Sequence, residues 1–171
     1  MKVVLVGYMA SGKTTIGKFL AKSLEIDFID LDDAIALEVG LSITEIFKTK
    51  GELFFRKTEM QVLEKLLTNE QSFVLATGGG TPGYGSNMDS IAKMSSHSVY
   101  LKHSIPSLTE RIIMEKAERP LVAKRLDDEL PEFIGKHLFE RSMFYAMATE
   151  TINCDKKSVE AIANEIKKAL R

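Results

Sequence analysis

Gly7-Tyr8-Met9-Ala10-Ser11-Gly12-Lys13-Thr14 stands between a short apolar run and the start of a helical pattern. Two glycines separated by four residues, followed at once by Lys and a hydroxyl residue, have the spacing of a phosphate-binding loop. The glycines take backbone angles closed to other residues, which turns successive N–H groups inward as an anion nest. Lys13 adds a mobile cation, the Thr14 hydroxyl is placed to join the coordination shell of Mg²⁺, and Thr15 can add a second hydroxyl. The helix that starts here points its positive end at the phosphates. Gly7, Ala10, Ser11, Gly12, Lys13, Thr14 and Thr15 are therefore the expected nucleotide contacts. A glycine-rich turn without a ligand would need neither the lysine nor the hydroxyl.

The flanks supply the context that such a loop requires. Lys2-Val3-Val4-Leu5-Val6 reads as a strand covered on both faces, and Ile16, Phe19, Leu20 and Leu24 follow at helical spacing. The 171 residues, 44% hydrophobic and 27% charged, predict one soluble globular domain over 1–171. A formal charge of -1 offers no field for nucleic acid or anionic lipid and favours a small anionic ligand met by a few local cations. Cys154 is the single cysteine, which excludes an internal disulfide and fits a buried structural thiol in a reducing compartment. No apolar run reaches the roughly 18 residues of a membrane span. The N-terminus enters the phosphate loop without signal-peptide anatomy, so a cytoplasmic protein is expected. His97, His103 and His137 lack ligand spacing and are assigned no metal.

Further along, Ile26 to Asp30 reads as a second strand, with Asp30-Leu31-Asp32 at its carboxyl end, the edge where open parallel sheets bind ligands. Residues two apart in extended chain face one side, so one carboxylate can serve Mg²⁺ and the other a substrate hydroxyl. The competing reading is that Asp32 or Asp33 caps a helix over Ala34 to Val39. Ser42-Ile43-Thr44-Glu45 is a capping box, and Gly51 breaks its helix before a longer one from about Glu52 to Thr68. Arg56 and Glu59 lie three apart on that second helix and, taken alone, read as a solvated ion pair. Phe73 to Ala76 is a third strand, and Gly78-Gly79-Gly80 after it permits close backbone approach to an oxyanion or hydroxyl. A helix over Met88 to Met94 precedes a strand at Ser98 to Leu101. Ser107-Leu108-Thr109-Glu110 is expected to cap the helix carrying Arg111. From Glu115 to Pro131 the charges and the lack of apolar period suggest a mobile loop, a candidate lid. Phe139, Met143, Phe144 and Met147 form a stripe read as core, beside Arg141 and Tyr145 at i and i+4. Thr151 to Cys154 is the fifth strand, and Ser158 caps the last helix. Strands alternating with helices imply a doubly wound, largely parallel α/β sandwich, with strand order left open.

These residues, in this order, resemble the shikimate kinase family over essentially the whole chain. The match runs through the loop at Gly7 to Thr14, Asp30 and Asp32, Gly51 to Arg56 as G-E-x-x-F-R, Gly78 to Gly80, Arg119-Pro120-Leu121, and Arg141 with Tyr145. The resemblance implies a three-layer P-loop kinase fold of the nucleoside-monophosphate-kinase type, with a five-stranded parallel sheet in the order 2-3-1-4-5. It also implies transfer of the ATP γ-phosphoryl to the 3-hydroxyl of shikimate, as a step of aromatic amino acid biosynthesis. By the same resemblance Asp32 meets the accepting hydroxyl, Arg56 and Arg141 hold the shikimate carboxylate, and Gly78, Gly79 and Gly80 line the ring. Arg119 looks like the lid arginine, which with Lys13 and Asp32 makes the catalytic set. Thr14 and Asp30 would organise Mg²⁺, and Arg111 with the loop after Asn153 looks like the adenine region. Within the single domain this places substrate-binding helices at about 32–60 and the lid at about 115–131. Met143 departs from the proline that many members carry, and Pro82-Gly83-Tyr84-Gly85 is unusually glycine-rich. Expected partners are ATP, Mg²⁺ and shikimate, with no nucleic acid or membrane, for a monomer. A kinase of this fold with another acceptor, gluconate or a nucleoside monophosphate, is the nearest rival. A GTPase switch is disfavoured because no N-K-x-D motif occurs.

Overall fold

The computed structural model describes residues 1–115 and 122–170. Five strands, β1 (Lys2–Val6), β2 (Asp27–Asp30), β3 (Phe73–Ala76), β4 (His97–Lys102) and β5 (Glu150–Asn153), pair in parallel in the order β2-β3-β1-β4-β5. This is the order that the resemblance implied. The helices among the described residues are α1 (Lys13–Leu24), α2 (Leu31–Val39), α3 (Ile43–Thr49), α4 (Gly51–Thr68), α5 (Asn87–Met94), α6 (Ile105–Met114), α7 (Leu130–Tyr145) and α8 (Val159–Ala169).

Side-chain alternation along β1 divides the core into two layers. Val3 and Leu5 pack with Ile16, Leu20 and Ala21 of α1 and with Ile162, Ala163 and Ile166 of α8. Val4 and Val6 face the opposite way, onto Leu31 and Ile35 of α2, Ile46 of α3, and Phe55, Val62, Leu63 and Leu67 of α4. Because both faces are covered, the strand needs the continuous apolar run that it has. A third cluster joins Tyr8 and Ala10 to Leu108 and Ile112 of α6, Val122, and Leu130 and Ile134 of α7. The phosphate loop is thus wedged against the last third of the chain. The register aligns Asp30 with Ala76 and Leu5 with the same Ala76, so β2, β3 and β1 end at one level.

Several local expectations are corrected. α2 begins at Leu31 rather than Ala34, and neither Asp32 nor Asp33 is its cap: Asp30 accepts from the Asp32 N–H at 3.1 Å. Asp30 and Asp32 therefore do not share an extended segment, since Leu31 is already helical. Phe139, Met143 and Met147 are 87%, 67% and 44% exposed, so that stripe is not core. The buried face of α7 carries Leu130, Ile134 and Tyr145 instead. α7 is apolar on more than one side, and periodicity alone could not choose between them. Phe19 is exposed as well. The arginine of the expected ion pair is mostly buried and its glutamate fully so, at 15% and 1% side-chain exposure. Of the stretch at 115–131, residues 116–121 lie outside those described. Val122 is buried, Asp127–Glu129 is a 3-10 turn, and Leu130 already belongs to α7.

Other expectations hold. Ser42 and Glu45 make the reciprocal capping box, Gly51 (φ 80°) separates α3 from α4, and Ser158 accepts from the Ala161 N–H. Cys154 is buried just past β5, its thiol pushed up to about 12 by burial. No helix among the described residues is long and apolar enough to cross a membrane.

The start of α6 gives a test. Pro106 occupies the first turn, where its missing N–H costs nothing, so the helix opens one turn earlier than a Ser107 cap would allow. Ser104 accepts from Ser107 N–H at 3.3 Å, and Glu110 is exposed. Ser104→Ala should cost about 1 kcal/mol. Glu110→Ala, equally costly if Ser107 and Glu110 formed the box, should change stability by less than about 0.5 kcal/mol. Urea midpoints of the two variants decide between the caps.

Candidate active site

The loop between β1 and α1 has the backbone that its glycines allow. Gly7 has φ 149° and Gly12 φ 88°, and a Cβ on Gly7 would meet the Leu101 carbonyl oxygen at 2.9 Å. Ala10 also has positive φ, 60°, a strained position that an alanine does not advertise. Lys13 is buried, and its Nζ donates to the carbonyls of Gly7 and Tyr8 at 2.8 Å each and to Ser11 Oγ at 3.3 Å. The ammonium is thereby held over the mouth of the nest, at the N-terminus of α1.

Two residues behind the loop support it. Arg111 Nε donates to the Ala10 carbonyl at 2.7 Å, which places this arginine against the phosphate loop itself. His103, assigned no metal from its spacing, is buried with Nε2 3.1 Å from the Ser11 carbonyl oxygen. Burial lowers its pKa, so it is mainly neutral near pH 7 and serves as a fixed donor to that carbonyl. Asp155 beside it accepts from the Ser104 N–H, and Asn153 Oδ1 accepts from the Asp155 N–H at 3.2 Å. Asn153 thus shapes the turn after β5 on the same edge of the sheet.

The first carboxylates follow at the end of β2. Thr14 Oγ1 donates to Asp30 Oδ2 at 3.0 Å, bringing the expected metal-organising pair together, while the other Asp30 oxygen takes the Asp32 N–H. Thr15 is exposed beside them. Asp32 points toward the triple glycine, its Oδ1 3.6 Å from where a Gly78 Cβ would lie. Burial, then the Asp30 and Glu59 carboxylates, push Asp32 up to about 6, with Lys13 pulling the other way.

The acceptor side is built on α4, the glycine loop and α7. Arg56 Nη1 donates to Glu59 Oε2 at 2.9 Å, and the guanidinium lies over the rings of Tyr84 at 4.9 Å and Phe55 at 5.2 Å. A Cβ on Gly80 would stand 2.8 Å from Arg56 Nη2, and one on Gly79 would stand 3.1 Å from the Met9 amide nitrogen. On the other flank Tyr145 donates to the Gly79 carbonyl. Burial holds that phenol well above its ordinary value, against the partial pull of Arg141. Arg141, one turn earlier, lies 5.7 Å over the ring of Tyr8. Arg56 thus lies against the triple glycine at Gly80, and α7, the helix of Arg141, meets it at Gly79 through Tyr145. Arg119, the remaining expected member, lies outside the described residues. Glu59 and Thr81 were missed as site residues; the available signal was a glutamate at i+3 from an arginine, which more often marks a surface pair.

An anion nest with its lysine, an ionisable carboxylate and two arginines converging on one sheet edge define a P-loop phosphotransferase for a small anionic acceptor. The family model for shikimate kinase matches residues 9–171. The shikimate kinase of Flavobacterium psychrophilum is 46% identical over 169 residues, 99% of this chain and 98% of that protein. A crystal structure of shikimate kinase from Bacteroides thetaiotaomicron superposes with TM-score 0.91 at 33% identity, covering 99% of this chain and 98% of that one. Shikimate kinase from Acinetobacter baumannii, solved in complex with shikimate, gives 0.86 at 30% identity, covering 99% and 92%. The chain belongs to the shikimate kinase family.

The raised Asp32 has a consequence for stability. The folded protein binds this proton more tightly than the unfolded chain, so ionisation costs stability as pH rises from about 4 through 6, by on the order of 3 kcal/mol when complete. Asp32→Asn, which cannot ionise, should be more stable than the parent at pH 8 in magnesium-free buffer, and the gap should close toward pH 4. Urea midpoints across that range would show an unchanging gap if the carboxylate were not raised.

Proposed function

We propose that this chain transfers the γ-phosphoryl group of ATP to the 3-hydroxyl of shikimate, giving shikimate 3-phosphate and ADP for aromatic amino acid biosynthesis, as a monomeric cytoplasmic enzyme formed by a single domain. The observation that carries the reading is that Gly79 backs directly onto the phosphate loop, while Arg56 lies against Gly80 and Arg141 lies over Tyr8 on the helix that bonds Gly79 through Tyr145. An acceptor held by its carboxylate between the two arginines would have its ring against Gly78, Gly79 and Gly80 and its hydroxyl toward Asp32 and the nest.

Phosphoryl transfer asks the protein mainly to align two substrates and neutralise charge. Gly7, Ala10, Ser11, Gly12, Thr14 and Thr15 would cradle the phosphates, and Lys13 would exchange its loop carbonyls for the β and γ oxygens. Asp32, raised to about 6, is mostly ionised at pH 7 yet basic enough to take the hydroxyl proton as the new P–O bond forms. Thr14 and Asp30 supply paired hard oxygen donors 3.0 Å apart, which suit Mg²⁺ directly or through water. Bound there, the ion would offset charge on the phosphates. Arg111 and Asn153 would border the adenine side. The stretch from about residue 115 to the start of α7 would supply the lid that excludes water, with Arg119 meeting charge on the transferring group.

ADP release measured with shikimate, gluconate and nucleoside monophosphates tests the acceptor: turnover is expected with shikimate alone, and faster turnover of another acceptor would overturn the assignment. Arg56→Ala and Arg141→Ala should each weaken shikimate binding by about 1.5–3 kcal/mol, with ATP affinity nearly unchanged. In steady-state kinetics Arg119→Ala should lower kcat roughly 10²- to 10³-fold with smaller effects on either KM. A kcat within about twofold of the parent, far short of a lost catalytic donor, would remove Arg119 from the mechanism.

A further inference from the structure

Arg56 is not held by its glutamate in the usual two-point manner. Glu59, fully buried, gives one oxygen to Arg56 Nη1 at 2.9 Å, and its other oxygen accepts from the hydroxyl of Thr81 at 2.6 Å. Thr81 is itself fully buried and fixed through its backbone. Its N–H donates to the Gly78 carbonyl, and its carbonyl accepts from the buried Asn87 side chain at 3.0 Å and from the Tyr84 N–H at 3.3 Å. Among the described residues Arg56 Nε has no hydrogen-bond partner; it stands 3.6 Å from Glu52 Oε1, while Nη2 lies against Gly80.

We propose that Thr81 is a positioning residue for the acceptor: by occupying one oxygen of Glu59, it keeps that carboxylate from closing on a second donor of Arg56, and so leaves the rest of the guanidinium for the acceptor carboxylate. The inference rests on the acceptor reading above. A carboxylate facing a guanidinium in a buried setting favours two parallel N–H···O bonds, and a competing hydroxyl donor is what diverts one oxygen. Without the hydroxyl, Glu59 Oε1 would be buried and unsatisfied, and turning onto a second Arg56 nitrogen is the nearest remedy. The acceptor would then meet an arginine already spent on its neighbour. Asn87 keeps the hydroxyl in register by gripping the Thr81 carbonyl, so the relay runs Asn87 to Thr81 to Glu59 to Arg56.

The test compares Thr81→Val, nearly the same shape without the donor, with Thr81→Ser, which restores the donor. Thr81→Val should raise KM for shikimate about tenfold, the size of one hydrogen bond to a charged group. KM for ATP should stay within about twofold, a change smaller than any such bond. Thr81→Ser should return KM for shikimate to near the parent value. In an Arg56→Ala background Thr81→Val should add little, since the group through which it acts is gone. A merely structural role would lower melting temperature and disturb both substrates together, additively with Arg56→Ala. That pattern would overturn the proposal, as would an unchanged KM for shikimate in Thr81→Val or a failure of Thr81→Ser to restore it. If Thr81→Val does not fold, Thr81→Ser and Thr81→Ala carry the same comparison. A parent chain without shikimate-dependent turnover overturns the functional reading and this inference together. A parent that uses shikimate, with Thr81 variants that leave its KM unchanged, removes only the role of Thr81.

Discussion

Mutual repulsion among Asp30, Asp32 and Glu59 is the constraint around which the site is arranged. The end of β2 and the middle of α4 bring these carboxylates close enough for Asp30 and Glu59 to add to the rise that burial gives Asp32, and Lys13 offsets part of it. Asp30 and Glu59 are each given donors on both oxygens, the Thr14 hydroxyl and Asp32 N–H for one, Arg56 and the Thr81 hydroxyl for the other. Burial first, and then the repulsion of both, raise Asp32 to about 6, which suits the proton-accepting role proposed for it. The cost falls on stability and the gain on chemistry, as expected where a functional group works against the fold.

The sheet was legible because its signals are local and redundant. Residues 3–6 of β1 are apolar without interruption, and a strand covered by α1 and α8 on one face and α2, α3 and α4 on the other must be so. The phosphate loop was legible for a stronger reason: Gly7 and Gly12 adopt angles that narrow the choice of residue, and chemistry fixes Lys13 and Thr14. Strand order was a different matter. No residue of β3 says that it lies between β2 and β1, and the order 2-3-1-4-5 came from resemblance rather than pattern.

The misreadings share a cause. A capping motif, an ion pair and an amphipathic stripe are each defined by spacing of three or four residues, and spacing does not say which of two overlapping sets the tertiary structure uses. Ser104 caps α6 because Pro106 fits the first turn. Asp30 rather than Asp32 caps α2, which leaves Asp32 free to face the glycines. α7 offers two apolar stripes, and the one holding Tyr145 is buried because Tyr100 stacks on that ring at 5.0 Å and Gly79 accepts its hydroxyl. Arg56 and Glu59 look like any surface pair at i and i+3 until Thr81, 22 residues away, is seen to close over them. At α7 and at the Arg56–Glu59 pair the choice is made by residues distant in sequence, which a local window cannot contain, whereas the two caps are decided within a few residues by competing signals.

The two halves of the site meet at Tyr8 and Gly79, and this contact explains how nucleotide and acceptor regions made by remote segments keep a fixed separation. Tyr8 gives its backbone carbonyl to Lys13, its hydroxyl lies 2.7 Å from His137 Nδ1, and its ring faces the Arg141 guanidinium. One residue of the phosphate loop thus touches both the lysine expected to track the nucleotide and the helix that carries Arg141. From the opposite direction Gly79 approaches Met9 so closely that a Cβ would stand 3.1 Å from its amide nitrogen, while its carbonyl takes the Tyr145 hydroxyl from that same helix. In-line transfer requires reacting atoms about 3–3.5 Å apart. A side chain at Gly79 would have to push the glycine loop from the phosphate loop by some tenths of an ångström, and α7, bonded to both, would have to choose between them. Glycine at this position is therefore a condition on the distance between two substrates, set by backbone packing before either substrate is bound.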